Sequence, residues 1–317
     1  MRLAILDDYQ HAALAMADWD SLRPEVSPQT FQDAFANEAA AAERLRDFEI
    51  VVAMRERTPF PRSLLECLPN LKLLVTTGMR NAAIDIKTAN ERGIVVSGTG
   101  SLPYPTAELT WGLILALARN VAREDAAMRT GAWQTTVGVG LHGKVLGILG
   151  LGKLGAQVAA VGKAFQMEAL AWSQNLSEER AKSLGVRRVD KENLFRRADF
   201  VTIHLQLSQR TRGLVGAKEF DAMKSTAYLV NTSRGPIVEE RALVAALENH
   251  RIAGAALDVY DQEPLPTDHI LRRLGNVVLT PHLGYVTAEN YREFFSQALE
   301  DVHAFLAGNP IRVLAAP

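Results

Sequence analysis

Cysteine is almost missing from this chain: Cys67 is the only one. No intramolecular disulfide can form, so stability has to come from packing, and cysteine poverty fits a reducing cytoplasm. Cys67 sits among Leu64, Leu65 and Leu68 on a helical apolar pattern and is expected to be a buried structural thiol rather than a nucleophile. Long apolar runs are lacking too. The longest, residues 111–118, stops at Arg119 and is less than half of the ~20 residues a membrane helix needs. The first apolar run is broken by Asp7 and Asp8, too early for a signal peptide. Neither sign of charge dominates: 35 Lys and Arg face 36 Asp and Glu, and no long basic run occurs. A nucleic-acid surface would show an uneven basic stripe, so no nucleic acid is expected; no membrane partner or metal is expected either.

What is present is the composition of a globular protein, with 48% hydrophobic and 22% charged residues. A chain of 317 residues is too long for one ordinary core and suits two domains. Residues 3–6, 50–54, 71–75 and 94–96 are short continuous apolar runs, with helical patterns at 34–48 and 61–68. Continuous apolar strands separated by helices argue for a parallel sheet covered on both faces. Gly98-Thr99-Gly100-Ser101-Leu102-Pro103 then breaks the pattern, as a domain crossing would. One long helix is expected from about 106 to 128. A second series follows, with strands at 145–149, 169–172, 200–203, 227–230, 254–257 and 277–279. Helices are expected at 153–165, at 175–184 with Ser177 as N-cap, and at 288–306. Several of these strands run into polar residues: His204, Asn231, Asp258, and Thr280 with His282. Doubly wound sheets bind ligands outside the carboxyl ends of their strands, which is where those residues fall.

Strand 145–149 leads into Gly150-Leu151-Gly152-Lys153-Leu154-Gly155 and then a helix. In that context Gly150 permits a tight turn, Gly152 lets a pyrophosphate approach the backbone, and Gly155 lets helix and strand pack closely. The helix start adds amide donors and positive dipole. An acid is expected about 20 residues on, to hold a ribose hydroxyl, yet the chain reads Ser173-Gln174-Asn175 there. Glu168 starts the strand and points the wrong way. A missing carboxylate removes the repulsion of a 2′-phosphate, so the cofactor is NAD(P) with a slight lean to NADP. Arg180, in the next helix, is within reach of that group.

Three further strings carry chemistry: Asn231-Thr232-Ser233-Arg234-Gly235-Pro236, Asp258-Val259-Tyr260-Asp261-Gln262-Glu263-Pro264, and Thr280-Pro281-His282-Leu283-Gly284. An arginine can clamp a substrate carboxylate with its fork of donors. A histidine can pass a proton to or from a carbonyl oxygen, and a carboxylate beside it favours the protonated ring and orients it.

With these motifs in this order, the chain resembles the D-isomer-specific 2-hydroxyacid dehydrogenase family over essentially its whole length. The resemblance implies an α/β fold: a Rossmann-type doubly wound cofactor domain, 99–284, inserted into a flavodoxin-like parallel-sheet substrate domain, 1–98 plus 285–317. It also implies a homodimer and an active site in the interdomain cleft. By the same resemblance His282 is the proton donor and acceptor, Glu263 its orienting acid and Arg234 the substrate-binding arginine. Asp258 resembles the residue that bonds the nicotinamide amide. Thr232, Gly284 and the glycine motif fall on the cofactor side. His204 opens His204-Leu205-Gln206-Leu207, with Gln206 where the family has proline, and reads as structural or cofactor-side.

The loop after strand 71–75 carries the substrate-carboxylate amides in the family. Here it reads Thr76-Thr77-Gly78-Met79-Arg80, with Arg80 where the family tends to have a second glycine. Arg80, or Arg55 on the neighbouring strand end, would give the pocket added positive charge for a second anionic group. The alternative is that these arginines pair with Glu56, Asp85 or Glu91. The reading is an oxidoreductase moving a hydride between NAD(P) and a small D-2-hydroxy or 2-oxo acid, glyoxylate and hydroxypyruvate being guesses by resemblance. The rivals are a 3-phosphoglycerate dehydrogenase-like enzyme and a nicotinamide-sensing co-repressor of related fold.

Overall fold

The computed structural model describes residues 1–315 and divides into two compact units, Met1–Leu102 with Val286–Pro317, and Pro103–Tyr285. The first begins with β1 (Arg2–Ile5), β2 (Ser27–Thr30), α1 (Glu38–Leu45), β3 (Ile50–Ala53), α2 (Arg62–Glu66), β4 (Leu73–Thr76), α3 (Ile86–Glu91) and β5 (Val95–Gly98). Its five strands are all parallel, in the order β2-β1-β3-β4-β5. Alternate side chains of a strand face opposite sides of a sheet. Ala4, Val51, Ala53, Leu74 and Val96 therefore share one core with Leu45, Phe48, Phe60, Leu64 and Leu68.

The second unit holds α4 (Pro105–Arg119), α5 (Val121–Arg129), β6 (Val145–Leu149), α6 (Lys153–Ala164), β7 (Glu168–Trp172), α7 (Glu178–Ser183), β8 (Arg187–Arg188) and α8 (Lys191–Arg197). β9 (Phe200–Ile203), α9 (Ala217–Ala222), β10 (Tyr228–Asn231), α10 (Glu240–Glu248), β11 (Gly254–Leu257) and β12 (Val277–Leu279) complete it. The seven parallel strands run β12-β11-β10-β9-β6-β7-β8, the doubly wound order that reverses between β6 and β9. Leu146, Ile148, Phe200, Val230 and Ala256 pack on Trp111, Ile114 and Val158 of α4 and α6. Leu149, Val201, Ile203, Leu229 and Leu257 pack on Phe195, Phe220, Leu243 and Leu247 of α8, α9 and α10. Period-2 alternation thus supplies one core per face.

α11 (Ala288–Leu306) returns to the first unit and lies against β4 and β5, with Phe294, Phe295, Ala298 and Val302 buried. Among the described residues no helix is long and apolar enough to cross a membrane.

Three expectations need correction. The helix expected over 106–128 is two helices, because Asn120 turns left-handed (φ 52°) and ends α4. Asparagine tolerates that conformation better than most residues. Helix 34–48 shrinks to α1, whose start is capped by the Asn37 side chain accepting from the Ala40 amide. Cys67 is exposed, not buried: α2 ends at Glu66, and only Leu64, Leu65 and Leu68 turn to the core.

After α11 the chain docks on the free edge of β5. Ser97 Oγ donates to the Ile311 carbonyl, the Gly98 amide to the Arg312 carbonyl, and the Leu314 amide to the Val96 carbonyl. Arg312 holds this segment to α11 by donating from Nε to Asp301 Oδ1 (3.0 Å) and from Nη1 to Glu300. Asp301 is fully buried, and its Oδ2 meets no hydrogen-bond partner among the described residues. Burial pushes this carboxyl from its ordinary 3.8 up to about 7, against the pull of Arg312. The folded chain thus retains, between those values, a proton the unfolded chain has lost, so stability falls as pH rises through that window. Asp301→Asn keeps an oxygen for Arg312 without the charge. It should melt above the wild type at pH 8, with the gap closing toward pH 4, as followed by circular dichroism.

Candidate active site

The polar strand ends of the second unit converge on the carboxyl edge of its sheet, starting at β6. Gly150 is left-handed (φ 97°), and a Cβ there would lie 2.6 Å from the His204 carbonyl at the tip of β9. A Cβ on Gly155 would lie 2.1 Å from the Gly150 carbonyl, so α6 could not start so close to β6 with any larger residue. Gly152 differs: nothing lies within 4 Å of its Cβ position. Two glycines are therefore needed for packing, and the third faces open space at the N-terminus of twelve-residue α6. That open space, beside the positive helix end, fits the diphosphate of a dinucleotide. Lys153 and Leu154 form the first turn of α6.

The tip of β7 carries no acid. Glu168 is at the opposite end of the strand, where it accepts from Arg197 (2.8 Å). The chain turns at Ser173, whose carbonyl accepts from the Leu176 amide, and the Ser177 side chain caps α7 at the Arg180 amide. The His204 amide donates to the Leu149 carbonyl, and its ring Nε2 lies 2.9 Å from Thr202 Oγ1. Burial lowers this histidine to about 4, so its ring is neutral at pH 7.

At the end of β10, Asn231 ties its own loop: Oδ1 accepts from the Ser233 amide and Nδ2 donates to the Arg234 carbonyl. Thr232 Oγ1 lies 2.8 Å from Thr110 Oγ1 of α4. Arg234 Nη1 donates to the Ser233 carbonyl (2.8 Å). The next residue, Gly235, is pressed onto the following loop, since a Cβ there would meet the Tyr260 carbonyl carbon at 2.1 Å. Only glycine lets the Arg234 loop lie against the loop of Glu263.

Asp258, at the end of β11, is fully buried. Its Oδ1 accepts from Thr280 Oγ1 (2.6 Å) and the Leu283 amide (2.7 Å), and its Oδ2 from the Gly284 amide (2.9 Å). Burial raises its carboxyl above the usual range, while those donors and His282 act in the opposite sense. The Gly284 carbonyl in turn accepts from Thr106 of α4. Around Asp258 the loop carries His282 in a left-handed conformation (φ 55°). His282 Nδ1 lies 2.6 Å from Glu263 Oε2, and Glu263 Oε1 accepts from the Tyr260 amide (3.0 Å). The Tyr260 hydroxyl, kept protonated by burial and nearby carboxylates, lies within 3.0 Å of the Leu257 and Thr280 carbonyls, bridging the ends of β11 and β12. A ring bonded at Nδ1 to a carboxylate has a fixed tautomer and orientation, leaving Nε2 for proton transfer.

Sequence reasoning missed Tyr260, Thr280 and Thr106 as supports. The phenol of Tyr260 sits inside a string already singled out, and its placement three residues before Glu263 was the available signal. It also missed that the Asp258 carboxylate is engaged by the His282 loop.

In the first unit, Arg55 is left-handed (φ 52°) and is bound at both ends. Its amide donates to Thr77 Oγ1, its Nη1 to the Thr77 carbonyl (3.1 Å), and its own carbonyl accepts from Asn81. The guanidinium occupies the space over Gly78 and lies 3.8 Å from Glu56, which is one of the pairings weighed against a binding role. Asp85 instead caps α3, and Glu91 pairs with Arg62. The Gly78 amide donates to Thr99 Oγ1. Met79 and Arg80 are exposed at the loop tip.

A sequence model of the D-isomer specific 2-hydroxyacid dehydrogenase NAD binding domain matches residues 111–284. A glyoxylate reductase of Aeropyrum pernix is 42% identical over 255 residues, covering 77% of this chain and 76% of its own. A D-3-phosphoglycerate dehydrogenase of Methanocaldococcus jannaschii is 38% identical over 84% of this chain, which spans only about half (51%) of that relative. A phosphoglycerate oxidoreductase from Vibrio cholerae has a crystal structure that superposes with a TM-score of 0.93 at 38% identity, covering 97% of this chain and 99% of that one. With the doubly wound sheet, its glycine turn and the family match lying on the same stretch of chain, this protein belongs to the D-isomer specific 2-hydroxyacid dehydrogenase family.

Proposed function

We propose that this protein is a homodimeric NAD(P)-dependent reductase of a small 2-oxo acid, or equally a dehydrogenase of the matching D-2-hydroxy acid. The observation that carries the reading is the 2.6 Å contact between His282 Nδ1 and Glu263, at the sheet edge that also bears Arg234 and the glycine turn. A bound nicotinamide would supply or accept the hydride at the second carbon of the substrate. His282 as imidazolium gives a proton to the carbonyl oxygen during reduction, and as imidazole takes it back during oxidation. Glu263 balances the charge on the ring and holds its Nε2 toward the substrate. Arg234 takes the substrate carboxylate and polarises the carbonyl. His204, half-buried and neutral, stays out of the proton transfer, and its carbonyl lies against the Gly150 turn. Asp258 keeps its loop in place through Thr280, Leu283 and Gly284, and Thr232 and Gly284 lie on the cofactor side.

The substrate class rests on relatives named glyoxylate reductase, with phosphoglycerate dehydrogenase as the narrower alternative. A glyoxylate- or hydroxypyruvate-reducing activity should appear as loss of 340 nm absorbance with a reduced nicotinamide and a panel of 2-oxo acids. His282→Asn should lower kcat by roughly 10²–10⁴ with the fold retained. Tight cofactor binding without turnover of any 2-oxo acid would leave the sensor reading standing instead.

For the substrate loop, the Gly78 amide is engaged by Thr99, so we assign the carboxylate contacts to Met79 and Arg80. Arg55 is tethered to Thr77 and paired with Glu56, which makes exposed Arg80 the better candidate for a second anionic group. Arg80→Ala should then raise KM for dicarboxylic 2-oxo acids several-fold and leave monocarboxylic ones nearly unchanged. A KM unchanged from the wild type for both classes would remove Arg80 from the pocket.

The bare tip of β7 supports acceptance of NADP, with Ser173 beside the ribose and Arg180 as the nearest cation along α7. Ser173→Asp should shift the ratio of kcat/KM toward NADH, because a carboxylate there repels a 2′-phosphate and can bond a free hydroxyl. An unchanged ratio would move ribose recognition elsewhere.

A further inference from the structure

The end of β5 walls one side of the loop that follows β4. Gly98, its last residue, lies so close that a Cβ there would sit 2.8 Å from the Gly78 carbonyl and 3.2 Å from Met79 Cα. Thr99 comes next and is fully buried. Its amide donates to the Thr76 carbonyl (3.1 Å), and its Oγ1 accepts from the Gly78 amide (2.9 Å). The other side of the loop is tied from β3, where the Arg55 amide donates to Thr77 and the Arg55 carbonyl accepts from Asn81. Met79 and Arg80, between these two flanks, are exposed.

The β5 wall is itself held from behind by α11 and the segment after it. The Gly98 amide donates to the Arg312 carbonyl (3.0 Å), and the Gly100 amide to Gln297 Oε1 (2.7 Å). Arg312 is left-handed (φ 49°), a conformation that persists in a large side chain only where its surroundings fix it. Three acceptors on α11 do so: Asp301 Oδ1 takes Nε (3.0 Å), Glu300 Oε2 takes Nη1 (2.9 Å) and the Gln297 carbonyl takes Nη2 (2.7 Å). Gln297 thus serves twice, its carbonyl receiving Arg312 and its side chain receiving Gly100. Only a guanidinium offers donors in a fixed fork to three such partners.

We infer that Arg312 and Gln297 are positioning residues for the substrate loop, acting through Gly98, Thr99 and Gly100 on Gly78. This rests on the proposed carboxylate contacts of Met79 and Arg80. A loop that takes a small anion through a main-chain group and one long side chain binds weakly unless it is ordered beforehand, because binding then bears the cost of ordering it. A purely structural brace would have a different signature. Its loss would lower the amount of folded enzyme, and so the apparent kcat, with each KM unchanged.

Kinetics and hydrogen exchange on the full chain separate the two. Arg312→Leu removes all three donors. Gln297→Ala removes the Gly100 contact and leaves the carbonyl for Arg312, so it serves if the first variant folds poorly. Each should raise KM for the 2-oxo acid roughly 3–10-fold, the size of one hydrogen bond, with kcat and KM for the reduced nicotinamide within about twofold of wild type. Arg312→Lys, which can keep one of the three bonds, should fall between. By mass spectrometry the peptide containing Gly78 should exchange faster by a similar factor, while that of α1, residues 38–45, stays unchanged. Unchanged exchange at Gly78 in both variants would overturn the brace. Faster exchange with an unmoved KM for the 2-oxo acid would overturn its role in substrate binding. A wild type that turns over no 2-oxo acid fails the dehydrogenase reading instead, and exchange alone then decides the brace.

Discussion

One buried carboxylate holds the loop on which the proposed chemistry depends. Asp258 follows β11, the second strand from the sheet edge, with no solvent around it, and a buried carboxylate must find donors. It takes them from Thr280, Leu283 and Gly284, all on the next strand's loop. Wrapping around that one side chain forces the loop into a tight path, and His282 lies on the tightest part, left-handed. Glu263 comes from the same strand end as Asp258, three residues past Tyr260, whose hydroxyl spans back to Thr280. The histidine and its acid are thus positioned from a single strand, and their 2.6 Å contact follows from that common origin.

Backbone contact is the second constraint. Gly155 against Gly150, Gly150 against His204 and Gly235 against Tyr260 are all places where a Cβ would sit under 3 Å from main-chain atoms. Each brings one strand-end loop down onto its neighbour. Gly152 has the opposite surroundings, and that contrast separates glycines that close the scaffold from the one that leaves room. A glycine pattern in a sequence does not carry that distinction, because the residue is the same in both roles.

The two parallel sheets were legible because their strands are continuous apolar runs, and strands buried on both faces need nothing else. The closing helix at 288–306 was legible too, but from a different pattern, apolar residues recurring at helical spacing. Reading failed where a single residue's conformation decides. Asn120 splits one apolar helix into two without any change in hydrophobic pattern. Cys67 lies on an apolar run, but the helix stops one residue earlier and turns it outward. β2 and β8 were invisible, being edge strands of polar residues such as Ser27, Gln29, Arg187 and Arg188. At the site, Arg234, Glu263 and His282 could be picked out by residue type and order. The supports could not, because a phenol or a threonine acquires its role only from what the fold sets opposite it.

The two strand-end histidines show how much environment decides. His204 and His282 have the same side chain and comparable positions at the carboxyl edge of one sheet. His204 is half-buried, with a threonine hydroxyl at its ring, and desolvation leaves it neutral. His282 faces a carboxylate and stands on a loop held by a second carboxylate. A carboxylate in contact also fixes the orientation of an imidazole ring, as Glu263 does at His282. Only one of the two positions has that anion. The proposed choice of His282 over His204 therefore lies less in the histidine than in the pair of acids, Asp258 and Glu263, five residues apart on one strand's exit.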